Sequence, residues 1–268
     1  MVSVIIPTYN RAHLIERSIQ SVLNQTYKDF ELLIVDDAST DDTEEVVKRF
    51  KDERIRYIKC EENGGASKAR NRGIEEAKYE YIAFQDSDDE WHADKLEKQM
   101  KVMLEAPEDV GLVYCEYHYH SIEGVEAYCP ERSIPLELKS GYIFPQLLIR
   151  NMVGTPTMLV KKKCFEKLGT FSEGLTCLED WELILRIARY FQIAFVPESL
   201  MEVYATPQCV SNNVEGFLKT KCILAGVYKK ELIEYGIFND VVGDILEKAN
   251  EFGVCHLIVE FLEAVMSK

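Results

Sequence analysis

Tyr81-Ile82-Ala83-Phe84-Gln85-Asp86-Ser87-Asp88-Asp89-Glu90-Trp91 is the stretch whose reading decides the fold. The apolar run Tyr81 to Phe84 predicts a buried strand, and the acids that follow predict the loop at its carboxyl end. Carboxylates crowded into so few residues repel one another, so a loop that gathers Asp86, Asp88 and Asp89 calls for a compensating positive charge. A divalent cation supplies it: Mg²⁺ or Mn²⁺ prefers oxygen ligands and is commonly held by one or two carboxylates plus the phosphate oxygens of a substrate. The competing reading is a solvated acidic turn ahead of the helix expected from Asp94, whose N-terminus also favours carboxylates.

Upstream of this stretch the same strand-loop-helix pattern repeats. Val2 to Pro7 is β-branched and apolar on both faces, as a buried parallel strand is, and Pro7 is expected to end it. The polar Thr8-Tyr9-Asn10-Arg11 then leads to a helix from Ala12 to Asn24, with Leu14, Ile15, Ile19, Val22 and Leu23 on one stripe. Glu31 to Val35 predicts the second strand, Asp36-Asp37-Ala38-Ser39-Thr40 its loop, and Asp42 to Phe50 its helix. Ile55 to Lys59 predicts the third, followed by Asn63-Gly64-Gly65-Ala66 and a helix from Ser67 to Ala77. Four such units predict a doubly wound, mostly parallel α/β sheet, with polar loops converging at the carboxyl ends of the strands.

Downstream the regularity stops. Gly111 to Cys115 predicts a strand, and Glu116 to Tyr128 an antiparallel hairpin turning near Glu123-Gly124. Short helices are expected at Tyr142 to Ile149 and Lys163 to Leu168, and a strand at Thr157 to Val160. Leu178-Glu179-Asp180-Trp181-Glu182 opens another helix, and Ile193 to Val196 and Met201 to Tyr204 read as two short strands. From Val214 the pattern is helical, with breaks near Gly236 and Gly253. The expected organisation is therefore one mixed domain over residues 1–211, with a nucleotide-binding half (1–105) and an acceptor-side half (106–211), and a helical extension over 212–268.

A chain of 268 residues with 47% apolar content can bury a substantial core. Its eight cysteines stand singly, with no Cys-x-x-Cys pair, as in a protein of a reducing compartment. A formal net charge of −15 argues against a nucleic-acid partner, yet is compatible with a nucleotide held through a metal. No apolar run has the length of a membrane span. The expectation is a cytoplasmic protein, at most peripheral at the inner face of a membrane.

The converging loops supply candidate site residues. Tyr9 offers a flat wall for a base, Asp37 an acceptor for an imide N–H, Asp86 a partner for ribose diols and Asp88 a metal ligand, with Ser87 between them. Tyr9 could equally cover a sheet edge, and Asp37 could serve as a turn or cap residue. Lys68 and Arg70 could neutralise phosphate, although basic residues in the first turns of a helix are usually solvated. Glu179-Asp180 could supply a carboxylate base for a hydroxyl acceptor, or simply complement a helix N-terminus. His118 and His120 share one strand face and could ligate metal; as ordinary exposed strand residues they are left outside the site. Neither the dinucleotide-binding Gly-x-Gly-x-x-Gly nor the Gly-x-x-x-x-Gly-Lys-Ser/Thr loop is present.

Val4-Ile5-Ile6-Pro7-Thr8-Tyr9-Asn10-Arg11, Ile34-Val35-Asp36-Asp37-Ala38-Ser39-Thr40-Asp41, Asn63-Gly64-Gly65-Ala66-Ser67-Lys68-Ala69-Arg70-Asn71, Asp86-Ser87-Asp88-Asp89-Glu90-Trp91 and Leu178-Glu179-Asp180-Trp181 together resemble the inverting glycosyltransferases of family two, which have the GT-A fold. The resemblance covers about residues 1–205. It implies that Pro7, Tyr9 and Asp37 contact the base, with Asp37 reading a uracil edge; that Arg11 stands near that pocket; that Asp86 faces the ribose and Asp88 holds Mg²⁺ or Mn²⁺; and that Asp180 is the general base. The implied reaction moves one sugar from a nucleotide-diphosphate donor, UDP-linked by preference, to a hydroxyl of a glycan, lipid-linked or protein acceptor in polysaccharide biosynthesis. The family's basic or histidine-containing segment after the last short strand is here Tyr204-Ala205-Thr206-Pro207-Gln208-Cys209-Val210-Ser211, without Arg or His. A sugar nucleotidyltransferase is the enzymatic alternative, but would carry a glycine-rich basic loop where Pro7-Thr8-Tyr9-Asn10 stands. A catalytically silent scaffold is the other, and intact Asp88 and Asp180 count against it.

Overall fold

The computed structural model describes residues 1–206 and 213–259. Its strands are β1 (Val2–Thr8), β2 (Phe30–Asp36), β3 (Ile55–Lys59), β4 (Tyr81–Phe84), β5 (Glu90–Trp91), β6 (Val110–His120), β7 (Glu126–Cys129), β8 (Leu159–Lys161) and β9 (Gln192–Tyr204). Its helices are α1 (Ile15–Leu23), α2 (Thr43–Lys48), α3 (Ala66–Glu76), α4 (Lys95–Glu105), α5 (Phe144–Ile149), α6 (Lys162–Leu168), α7 (Glu179–Ala188), α8 (Val214–Val227), α9 (Lys229–Glu234) and α10 (Phe238–Glu251). One sheet runs β3-β2-β1-β4-β8-β6-β9-β5, with β7 beside β6. The first four strands pair in parallel and β8 enters antiparallel between β4 and β6, while β6 and β9 are parallel again. The fold is thus the mixed, mostly parallel α/β sheet that the sequence predicts.

Period-two alternation divides the buried residues between two layers. Val4, Ile6, Leu32 and Ile34 face α1, α2 and α4, where Ile15, Ile19, Val22, Val46 and Met100 meet them. Ile5, Leu33, Val35, Ile82 and Phe84 face the opposite layer, packed with Ile74 of α3, Trp181 and Ile184 of α7, and Leu218 and Ile245 of α8 and α10. The C-terminal helices therefore share a continuous core with the sheet. Burying both faces fits strands with little alternation of polarity.

Two boundaries depart from the sequence expectation. β1 does not stop at Pro7 but pairs on through Thr8, opposite Asp36. The two short strands expected at Ile193 to Val196 and Met201 to Tyr204 are one strand, β9, whose register against β6 jumps from Val196 to Ser199. Pro197 and Glu198 fall in that jump, and a bulge is one of the few places where a sheet accepts proline. β5 is a two-residue strand that pairs with β9, Glu90 opposite Glu202 and Trp91 opposite Met201. The segment Pro207 to Ser211, where the expected basic or histidine-containing cover is missing, lies outside the described residues.

Candidate functional site

The site is assembled from loops at the carboxyl ends of β1, β2 and β4, the first turns of α3, and the start of α7. The first two loops are latched together. Asn10 Oδ1 accepts from Thr40 N at 2.8 Å, Asn10 N donates to Ser39 Oγ at 2.9 Å, and Arg11 N donates to Thr43 Oγ1 at 3.0 Å. Asn10, Ala38 and Leu178 hold φ of 52°, 65° and 59°, the left-handed region that costs a non-glycine residue roughly 1–3 kcal/mol and is found most often at functional sites. Among the described residues these are the non-glycine positions with positive φ, and each lies in a loop that carries a candidate residue.

Asp37 is buried, and both its oxygens are engaged by the next loop: Oδ1 accepts from Gly64 N at 2.9 Å and Oδ2 from Gly65 N at 2.7 Å. Its charge therefore organises the glycine turn, and its remaining lone pairs are what it can offer a ligand. Gly65, at φ 88°, permits that turn. Tyr9 is exposed beside it, while Pro7 and Ser87 are buried.

Arg70 is the centre of the arrangement. Its guanidinium donates through Nη2 to Asp86 Oδ1 at 2.9 Å and through Nη1 to Glu179 Oε1 at 2.8 Å, and it is only 6% exposed. One buried cation thus joins the acidic loop after β4 to the acidic start of α7. Two basic residues of α3, both candidates for the site, separate cleanly: Lys68 pairs with Glu62 at 2.9 Å on the surface, two residues away from the buried Arg70. The next residue, Asn71, makes a second connection, donating to Phe171 O and accepting from Phe171 N, both at 2.9 Å.

Helix α1 holds the acidic loop from below. Ser18 Oγ donates to Asp86 O at 2.8 Å and Arg17 donates to Asp88 O. Burial, and then repulsion from Asp86, raises the Asp88 carboxyl above its ordinary value, against the opposing charges of Arg11 and Arg17. Asp89, buried and accepting from Tyr204 N at 3.2 Å, is raised further, first by burial and then by Asp86 and Asp88. Carboxylates held in this unfavourable protonation balance are a donor set that a hard divalent cation fits. Thr8 Oγ1, both amide atoms of Gln85 and Arg70 Nε are buried without a protein hydrogen-bond partner, all at this edge of the sheet. Buried polar atoms are nearly always satisfied, so this clustering marks a place for polar ligand or water.

On the far side, Leu178 turns the chain so that Glu179 and Asp180 open α7. Asp180 Oδ1 accepts from Trp181 N at 2.6 Å and from Asn151 Nδ2 at 3.3 Å. Burial, and next the neighbouring Glu179, pushes its carboxyl up to about 7, with Arg70 opposing. A carboxyl group with a pKa near neutral pH can accept and release a proton there. Trp181 anchors the helix, donating from Nε1 to Leu147 O at 2.6 Å.

Arg17, Ser18, Arg70, Asn71 and Asn151 are the participants that sequence reasoning passed over or left open. For Arg70 and Asn71 a signal exists: with Ser67 and Ile74 they form an i, i+3, i+4, i+7 stripe, and all are buried. Elsewhere, His118 and His120 on β6 meet Glu202 on β9, a grouping that their shared strand face allowed but sequence spacing alone did not complete.

Comparison with known proteins gives the context. An uncharacterised glycosyltransferase of Rickettsia conorii is 38% identical over 203 residues, covering 75% of this chain and 32% of the relative, so the chain spans about a third of that protein's length. The UDP-Glc:alpha-D-GlcNAc-diphosphoundecaprenol beta-1,3-glucosyltransferase WfgD of Escherichia coli is 45% identical over 117 residues, 44% of this chain and 46% of that protein. Residues 1–349 of S. aureus TarS, solved in complex with UDP-GlcNAc, share the fold at a TM-score of 0.74 and 19% identity, over 98% of this chain and 81% of that one. Residues 3–168 match the profile of glycosyl transferase family 2. With more than half of its length matched, the chain belongs to glycosyl transferase family 2, and it has the GT-A fold.

Proposed function

We propose that this chain is a metal-dependent, inverting glycosyltransferase that moves a single sugar from a UDP-linked donor to a hydroxyl of a glycan, lipid-linked or protein acceptor in polysaccharide assembly. The observation that carries the reading is the pair of ion bridges from Arg70, which bring the acidic loop of β4 and the acidic start of α7 to one guanidinium. Donor and acceptor chemistry need that proximity, because the attacking oxygen and the leaving phosphate stand on opposite sides of one carbon. The UDP-linked donor is supported by the activity named for WfgD and the ligand bound by TarS.

In this reading Pro7 and Tyr9 line the base pocket, Asp37 accepts from the base edge, Arg11 stands near that pocket, and Lys68 lies at the phosphate side. Asp86 and Ser87 face the ribose, and Asp88 is the ligand for Mg²⁺ or Mn²⁺. The cation, when bound, supplies Lewis-acid stabilisation of the departing nucleotide diphosphate. Asp180 takes the proton from the acceptor hydroxyl, and its raised pKa suits that task near neutral pH. Among the described residues no helix is long and apolar enough to cross a membrane, which is compatible with an acceptor reached from one side.

The test is donor hydrolysis without acceptor, screened over UDP-, GDP- and dTDP-sugars with Mn²⁺, with and without EDTA. The expected result is turnover of a UDP-sugar that EDTA and Asp88→Ala abolish. Turnover unchanged by EDTA would remove the metal from the mechanism, and preference for a GDP-sugar would overturn the role of Asp37.

A further inference from the structure

Away from the acidic loop, three of the chain's five histidines converge on a single carboxylate, which is more than chance placement of a scarce residue would give. The sheet brings them together. β6 and β9 run parallel with His118 opposite Glu202 and His120 opposite Tyr204, so His118, His120 and Glu202 stand on one face. β7 adds Glu126, paired with His120, and Tyr128, paired with His118. His92 arrives from the residue after β5.

The contacts are specific by atom. His120 Nε2 lies 2.6 Å and His118 Nδ1 3.1 Å from Glu202 Oε2, while His92 Nε2 lies 2.7 Å from the other oxygen, Oε1. The ring nitrogens facing away, His118 Nε2 and His120 Nδ1, lie 3.5 Å and 3.8 Å from the two oxygens of Glu126. Both rings are fixed in place by stacking. Tyr128 lies 4.6 Å from His118 at 13°, and Tyr204 lies 5.0 Å from His120 at 12°.

We propose that His118 Nδ1, His120 Nε2 and Glu202 Oε2 form a second metal site, selective for Zn²⁺ or a similar borderline ion and separate from the carboxylate site at Asp88. Two imidazoles and one carboxylate are a common zinc donor set, and tetrahedral bonds of about 2.0–2.2 Å put ligand atoms roughly 3.3 Å apart; here the two nitrogens lie 3.1 Å and 2.6 Å from Glu202 Oε2, and all three donor atoms fall within 4.8 Å of one another. Glu126 occupies the place of the outer carboxylate that orients a ligating imidazole through its second nitrogen, and His92 does the same for Glu202. A Mg²⁺ or Mn²⁺ ion would be drawn instead to the carboxylate oxygens of the acidic loop at Asp88.

An ion there would pin β9 to β6 two residues before Tyr204, whose N–H is held by Asp89 of the acidic loop. The site is therefore a fastening for the end of β9, next to the donor loop but outside the chemistry.

The experiment uses the full chain carrying Asp88→Ala, which removes the carboxylate site, stripped of metal and titrated calorimetrically with Zn²⁺. The cobalt-substituted protein, followed by visible absorption, reports coordination geometry. One bound Zn²⁺ and a tetrahedral cobalt spectrum are expected. Adding His118→Ala and His120→Ala should abolish both, and Glu126→Gln, at an exposed position, should weaken Zn²⁺ by about tenfold or more. Circular dichroism of the histidine variant without metal checks that it folds; should it not, the Glu126→Gln affinity decides. Absence of stoichiometric Zn²⁺ binding to the Asp88→Ala protein, or binding indifferent to these side chains, would overturn the site.

Discussion

Residues 1–105 and residues 106–206 each bring carboxylates to Arg70, but in unlike electrical settings. Asp86, Asp88 and Asp89 repel one another inside a loop that Arg11, Arg17 and Arg70 partly compensate. Asp180 faces burial and Glu179, with Arg70 as the opposing charge among its main influences. The first setting concentrates negative charge that a cation would relieve. The second leaves one carboxyl poised between its two protonation states. One half is thus suited to gripping charge and the other to passing a proton, and the difference can be probed residue by residue.

The largest effect is expected from Asp180→Asn, which keeps the shape and removes the proposed base. Transfer should fall by about 10²–10⁴-fold while UDP affinity, measured by calorimetry, stays within a few-fold. Comparable loss of UDP binding would dissolve the division between the halves. Arg70→Ala should come next, because it strands Asp86 and Glu179 around a buried gap. Breaking a buried charge pair costs about 3–5 kcal/mol, read as a lower urea midpoint. A loss typical of surface bridges would mean that the halves are held by other contacts.

The pH profile sharpens the same comparison. In the proposed role Asp180 acts as the ionised carboxylate, so with a pKa of about 7 transfer should rise roughly tenfold per pH unit below neutrality and level off above it. The stability consequence has the opposite sign. Folded Asp180 keeps its proton up to about 7, whereas the unfolded chain releases it near its ordinary 3.8, so its contribution falls as pH rises through that window. Asp180→Asn should flatten both curves. The smallest effect is expected at Gly73 of α3, where an added Cβ would sit 2.6 Å from Ile5 Cγ2 of β1. Gly73→Ala should cost about 1–3 kcal/mol in denaturation and leave the proton-transfer profile in place.

The first half was legible because its signals are local. Apolar runs of strand length, each followed by a polar loop and an amphipathic helix, specify β1 to β4 and α1 to α4 within a residue or three, and with them the placement of Asp37, Asp86 and Asp88. The second half depends on pairings between distant segments. Pro197-Glu198 interrupts the alternation of β9 and reads as a strand end, although the sheet absorbs it as a bulge. β5 is too short to carry a pattern, yet it fixes Glu90 beside Glu202. Within α3 the helical period, read over charged as well as apolar residues, puts Arg70 inward and Lys68 outward. Burial of a guanidinium is rare enough that the apolar pattern alone did not suggest it.

The place of β8 has a consequence for how substrates reach the pocket. Because this short strand is hydrogen-bonded to β4 on one side and to β6 on the other, a single unbroken ladder joins the two parts of the chain. They cannot swing apart like jaws without tearing it. Admission and release of reactants must fall to the connecting segments around the rim, above a floor that stays still.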